Sequence, residues 1–324
     1  MSYEEVGVDN LILLETVTPK EIVNNLRLRF EKDIIYTYIG AVLVSMNPYK
    51  NIGVYSEQVV NNYRTMNLAE LPPHIFALSD NAYKALINNN VNQSVLISGE
   101  SGAGKTEALK RIILYISKAS HQSTEVERVC YQLKESVPFL EAFGNAKTIR
   151  NDNSSRFGKY MDIEINFRGA IVGAKVINYL LEKARVIKQA KAERNFHIFY
   201  QLLAGDAELL QKLYLNKPKD QYCLINQGAC MKVDKIDDKE DFDQNVKAME
   251  VCTFTTKETY DVYAIVACCL HLAEIVFEGE GETSKIQPCK EPDYIVELIN
   301  ADANLMNSGL TGRTITVGGE KVSL

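Results

Sequence analysis

The chain has 324 residues, 46% of them hydrophobic and 24% charged, an ordinary globular composition with enough apolar material for about two domains. Its 36 Lys and Arg against 42 Asp and Glu leave a net charge of −6, which gives no footing for nucleic acid or for an anionic membrane surface. The longest uncharged run, residues 34–49, is too short to cross a bilayer, and the acidic start MSYEEVGVDN lacks the basic flank and apolar stretch of a secretory signal, so a cytoplasmic chain without a transmembrane segment is expected.

In chain order, residues 9–30 read as two helical pieces, with Thr18-Pro19 as N-cap and first-turn pair ahead of Ile22, Val23 and Leu26. Dense β-branched and aromatic residues over 35–45 predict one or two strands around Gly40, ended by Asn47-Pro48. Helical spacing resumes over 74–90. The short apolar run 94–97 then has the signature of a strand buried on both faces of a parallel sheet.

Directly after that run, Gly99, Glu100, Ser101, Gly102, Ala103, Gly104, Lys105 and Thr106 satisfy GxxxxGK[ST], and a helix-like stretch over 107–119 follows. Each residue type has a physical task in such a loop. Glycines let successive backbone N–H groups turn inward around phosphate oxygens and the helix start adds positive potential. Lys105 reaches the β and γ oxygens, and Thr106 can ligand Mg²⁺. Kinases, GTPases, ATPases and motors share this loop, so it specifies a ligand and leaves the reaction open.

A second polar motif, NDNSSRFGK, runs from Asn151 to Lys159. Read by itself it is a loop whose hydroxyls could meet a metal or a γ-phosphate and whose arginine could pair with a carboxylate. A solvated loop would hold the same residues. Among the remaining features, seven cysteines without a CxxC pair and four histidines without an HExxH spacing predict free thiols and no structural metal. The acid-rich stretch 234–243 lacks the glycine of a calcium loop and reads as a solvated helix start, while 263–277 reads as a core helix with His271 hydrogen-bonded inside it.

The strings GESGAGKT and NxNSSRFGK together resemble the myosin motor family, and the resemblance extends over essentially the whole chain. Asn47, Pro48, Lys50 and Tyr55 resemble its purine-binding segment, residues 180–186 a strand of its central sheet, and residues 193–202 the following helix. The direct start through residues 6–14 resembles class I myosins. What this implies is an α/β fold of P-loop NTPase type, with a mostly parallel central sheet flanked by helices. An N-terminal subdomain would span 1–120 and most of the upper subdomain 121–324. The implied cofactors are ATP and Mg²⁺, the latter held by Thr106 and Ser155. Lys105, Asn151, Ser154, Ser155 and Arg156 would form the reacting face.

The resemblance further implies that Arg156 pairs with a glutamate in a second switch loop of the form DxxGFE, yet no Asp-x-x-Gly string occurs in the sequence. The expectation is therefore an incomplete head whose parent couples actin-activated ATP hydrolysis to movement on actin filaments. The alternative is a catalytically silent nucleotide-binding or interaction module. An unrelated P-loop kinase or GTPase is disfavoured, because no NKxD string is present. Light chains would bind only a lever outside this sequence, and any membrane association would come through a tail outside it. Glu320 is a candidate for the family's actin-facing loop, with a solvated residue as the equal alternative, and Ala184 stands where the family usually has serine.

Overall fold

Thr18 caps the first long helix as its sequence predicts: its hydroxyl accepts from the Glu21 N–H and Pro19 occupies the first turn of α1 (Pro19–Phe30). The computed structural model describes residues 6–120, 123–280, 283–312, 314–317 and 320–323. By their contacts they form two compact units, Met1–Lys134 with Met161–Val176, and Glu135–Tyr160 with Ile177–Leu324.

In the first unit, β1 (Tyr36–Ile39) and β2 (Val42–Ser45) make an antiparallel hairpin, Tyr36 facing Ser45 and Ile39 facing Val42. It turns at Gly40, whose φ of 59° is left-handed and suits glycine. The helices α2 (Glu57–Thr65), α3 (Ile75–Asn89) and α4 (Lys105–Ala119) pack with it around Tyr36, Val60, Tyr63, Ile75, Phe76, Ile112 and Tyr115. Within that core the Tyr115 hydroxyl donates to buried Asp80 at 2.8 Å, so this buried carboxylate has a partner. α4, the helix that opens at the phosphate loop, is thus seated on an aromatic floor.

The long helix α5 (Thr124–Gly144) leads to the short ladder of β3 (Asn145–Ala146) and β4 (Ser154–Ser155). Then come the paired strands β5 (Gly158–Ile165) and β6 (Ile171–Tyr179), the single turn α6 (Ala184–Ile187) and α7 (His197–Leu202). All six residues of α7 are buried, and Ile198, Phe199 and Leu202 enter the main core of the second unit. Phe242 and Met249 of α8 (Asp238–Val251) and Tyr263, Ala267 and Leu270 of α9 (Thr256–Glu274) complete that core. A full capping box between Thr255 and Glu258 starts α9, and buried His271 bonds the Leu213 carbonyl at 2.9 Å.

Three readings of the sequence are corrected. Residues 94–97 form no ladder: the run is coil, with Leu96 93% exposed, where a strand buried on both faces was expected. A strand exists only through its hydrogen-bonded neighbours, and among the described residues nothing pairs with this run. The parallel central sheet is likewise absent among the described residues. The ladders are two-stranded, β1–β2, β3–β4, β7 (Phe277–Glu280) with β8 (Thr283–Ile286), and β9 (Thr314–Val317) with β10 (Glu320–Ser323) all being antiparallel. Residues 180–186, expected as a sheet strand, turn into α6 because the Arg185 and Val186 N–H groups donate back to the Glu182 and Lys183 carbonyls at 3.1 Å.

The acid-rich stretch starts α8, where Asp237 caps the Lys239 and Glu240 N–H groups, but Asp238 is not a solvated residue. Its two oxygens accept from Nη2 of Arg194 at 2.8 Å, and Arg194 is completely buried, its guanidinium 3.6 Å above the ring of Tyr200. Removing one partner from such a pair leaves an uncompensated buried charge, which costs several kcal/mol. Asp238→Ala should therefore lower the unfolding free energy in urea by about 3 kcal/mol, whereas Asp243→Ala, on the exposed side of the same helix, should change it by less than about 0.5 kcal/mol.

Candidate functional site

The phosphate loop is held in shape by side chains of its own unit. Asn47 donates its Nδ2 to the Gly102 carbonyl at 2.7 Å and accepts the Tyr49 N–H at 3.0 Å, and the Tyr49 hydroxyl also reaches Gly102 O at 3.3 Å. Lys105 Nζ folds back on the carbonyls of Gly99 and Glu100 at 2.7 and 2.8 Å, so the ammonium lies within the curl of the loop. Gly102 and Gly104 have φ of 81° and 90°, left-handed values that a side chain would strain.

Gly104 is also the N-cap of α4 and offers no side chain to its first N–H groups, unlike Thr18 at α1 or Ser56 at α2. An anion fits such a start: bare N–H groups and the positive end of the helix converge beside a lysine, and half-buried Thr106 adds a hydroxyl in the first turn.

The other residues expected around a purine are placed differently from one another. Pro48 is half-buried next to Asn47. Lys50 pairs with Asp33 at 2.7 Å with both side chains more than half exposed, a contact of little energetic weight. Tyr55 belongs to the first unit's core: its hydroxyl meets that of Tyr36 at 2.8 Å, its ring edge meets Phe76, and the Arg111 guanidinium lies 4.1 Å over its face.

The switch loop, residues 151–159, is built in the second unit from local turns. The Thr148 N–H donates to Asn151 O at 2.8 Å, the Thr148 hydroxyl accepts from the Asn151 N–H at 3.2 Å, and the Asn151 carboxamide accepts from the Asn153 N–H at 3.0 Å. β3 and β4 then set Asn145 opposite Ser155 and Ala146 opposite Ser154. The period of two sends the serines to opposite sides: Ser154 is fully buried and accepts from Arg156 Nη1 at 3.3 Å, while Ser155 is exposed. Phe157 lies where a Cβ on Gly144 would be, 2.3 Å away, so glycine is required there.

Arg156 has a carboxylate within this chain. Its Nε donates to Glu182 at 2.6 Å, and Glu182 also accepts from Arg185 Nε at 2.9 Å. Arg185 continues to Glu193 at 2.9 Å, and Glu193 accepts the Ile149 N–H at 3.3 Å, so a chain of alternating charges runs from Arg156 to the backbone just ahead of the switch loop. Sequence reasoning assigned Arg156 a partner outside the chain and missed Glu182. The available signal was the spacing of Glu182 and Arg185, three residues apart and within reach of each other. Glu320 opens β10 opposite Val317, and its side chain lies outside the described residues.

A glycine-turned loop opening a helix without a side-chain cap, with lysine and threonine in that helix's first turn, belongs to the P-loop nucleotide-binding fold. The profile of the family described as "Myosin head (motor domain)" matches residues 8–324, and the chain belongs to that family. It is 47% identical over 322 residues to unconventional myosin IC of Drosophila melanogaster, covering 99% of this chain and 31% of that protein. It is 46% identical over 324 residues to unconventional myosin-Ib of Homo sapiens, covering 98% and 28%, and 44% identical over 322 residues to unconventional myosin-Ic of Gallus gallus, covering 98% and 31%. The chain thus spans about a third of the length of these class I relatives. No helix among the described residues is long and apolar enough to cross a membrane.

The chain of ion pairs makes stability depend on pH. The hydrogen bond from Arg156, assisted by that from Arg185 and opposed by partial burial, holds the Glu182 carboxyl down at about 2, against about 4.3 in an unfolded chain. A depressed carboxylate contributes stability above its unfolded value and loses it as pH falls toward the folded one. Glu182→Gln should therefore be less stable than the parent at pH 6, and the gap should narrow steadily from about pH 4.5 downward in urea unfolding followed by circular dichroism. A gap constant from pH 6 to 3 would contradict the assignment.

Proposed function

We propose that this chain is the nucleotide-binding portion of an actin-based motor of class I, in which Mg-ATP is held by the phosphate loop and sensed by the switch loop. The observation that carries the reading is the prearranged loop, with Asn47 and Lys105 fixing its carbonyls and Gly104 leaving the start of α4 open to an anion. In this reading the backbone of residues 99–104, from Gly99 through Glu100, Ser101, Gly102 and Ala103 to Gly104, surrounds the phosphates and Lys105 reaches their β and γ oxygens. Thr106 and Ser155 hold Mg²⁺, which neutralises charge on those oxygens. Asn151 and Ser154 order the switch loop, and Asn47, Pro48, Lys50 and Tyr55 border the base. The parent protein couples actin-activated hydrolysis to movement, at the actin cytoskeleton, with light chains and membrane contact supplied by other parts of the molecule. Glu320 is proposed for the actin-facing loop.

Arg156 carries the second reading. It is held by Glu182, so a closed site that recruits it elsewhere must first break that pair. The isolated chain accordingly binds ATP with little or no turnover and behaves as a silent nucleotide module. Titration with a fluorescent ATP analogue in the presence of Mg²⁺ should give saturable binding, and Lys105→Ala should weaken it at least 100-fold while circular dichroism stays unchanged. Equal binding by both proteins would contradict the assignment of the loop.

A further inference from the structure

The switch loop has a second anchor that the nucleotide reading does not use. Asn153 projects its carboxamide oxygen toward two buried side chains: Asn145 Nδ2 donates to it at 2.9 Å, and His197 Nε2 lies 3.2 Å from it. Asn145 is 1% exposed and His197 5% exposed, whereas Asn153 is exposed, so a surface loop is pinned from beneath by two core residues.

The frame under them is continuous. Asn145 begins β3, Ala146 bridges to Phe196, and the Arg194 N–H donates to Lys147 O at 3.1 Å. Asn195 bonds the carbonyls of Val186 and Leu224 at 2.8 and 3.1 Å and receives the Phe196 N–H at 2.8 Å. His197, the first residue of α7, is thereby carried at a fixed place under the loop.

We propose that Asn145 and His197 form a clamp on the Asn153 carboxamide, with His197 as a neutral Nε2–H donor, and that this clamp holds the switch loop in the shape in which it acts. A carboxamide oxygen only accepts, so the proton on this contact belongs to His197 Nε2. The other ring nitrogen, Nδ1, is buried with no hydrogen-bond partner among the described residues, so an imidazolium would have one N–H unsatisfied. The charged group facing it is the buried Arg194 guanidinium, and burial first and that charge second push His197 down to about 3. Asn153 precedes Ser154 and Ser155 directly, so holding its side chain fixes the start of β4 and with it which serine faces outward. The position of His197 makes it a positioning residue: it touches the loop and acts through it.

The clamp is tested on the full chain without nucleotide, and its relevance to the site, which rests on the nucleotide reading, is tested separately. Long-range ¹H–¹⁵N spectra of the histidine rings, assigned with His197→Gln, should show His197 as the Nε2–H tautomer from pH 8 to 6. Hydrogen exchange at the Asn153 and Arg156 amides should accelerate about five- to tenfold in His197→Phe and return to within about twofold of the parent in His197→Gln, whose amide can donate from the Nε2 position. Asn153→Ala, which alters only an exposed side chain, should give the same acceleration and serves if His197→Phe does not fold. An Nδ1–H tautomer, an imidazolium at pH 6, or unchanged exchange in Asn153→Ala would overturn the clamp. Mg-ATP affinity is then compared: a weaker binding in Asn153→Ala than in the parent supports the positioning role, and equal affinity in both overturns it. A parent that binds no Mg-ATP overturns the nucleotide reading while the tautomer and exchange results decide the clamp.

Discussion

The switch loop depends on one carboxylate. Glu182 sits between the guanidiniums of Arg156 and Arg185, and through Arg185 it reaches Glu193 and the backbone at Ile149, so segments far apart in sequence meet in one ion network. A chain of alternating charges that is partly buried and hydrogen-bonded throughout resists screening better than isolated surface pairs such as Lys50 with Asp33. Beneath it, Arg194 with Asp238 does the same inside the core, so the segment 193–197 is fixed by charge on one side and by the apolar contacts of α7 on the other. The geometry of Ser154, Ser155 and Arg156 follows from that frame.

The first unit reaches its result by other means. Its loop is held by hydrogen bonds from Asn47, Tyr49 and Lys105 to its carbonyls and by glycine dihedrals, with the aromatic core of Tyr36, Phe76 and Tyr115 supporting α4. A phosphate site built from backbone groups has its donors in place before the ligand arrives, so little ordering is needed on binding.

Much of this was legible in the sequence because it is local. The Thr18-Pro19 helix start, the hairpin at Gly40, the loop ending in Lys105 and Thr106, and the core helix carrying His271 each declare themselves within a few residues. What was not legible is long-range. Whether Asp238 is solvated or bonded to a buried arginine depends on a residue 44 positions away, and Glu182 and Arg156 are 26 apart. The apolar run 94–97 was misread for the converse reason: its composition suits a buried strand, but pairing depends on neighbours, and Leu96 is exposed. The candidate site therefore divides: residue types and loop chemistry came from the sequence, while the partners that set the pose of Arg156 and Asn153 came only from the folded chain.

The central claim is that this chain holds nucleotide with Arg156 sequestered by Glu182 and so does not turn it over. The direct test is phosphate release from Mg-ATP by the folded chain, with and without filamentous actin, against Lys105→Ala as the blank. Release equal to the blank under both conditions, from protein that binds the nucleotide, is the predicted result. Actin-stimulated release above the blank would contradict it, since a complete reacting site would then exist with the Arg156–Glu182 pair in place.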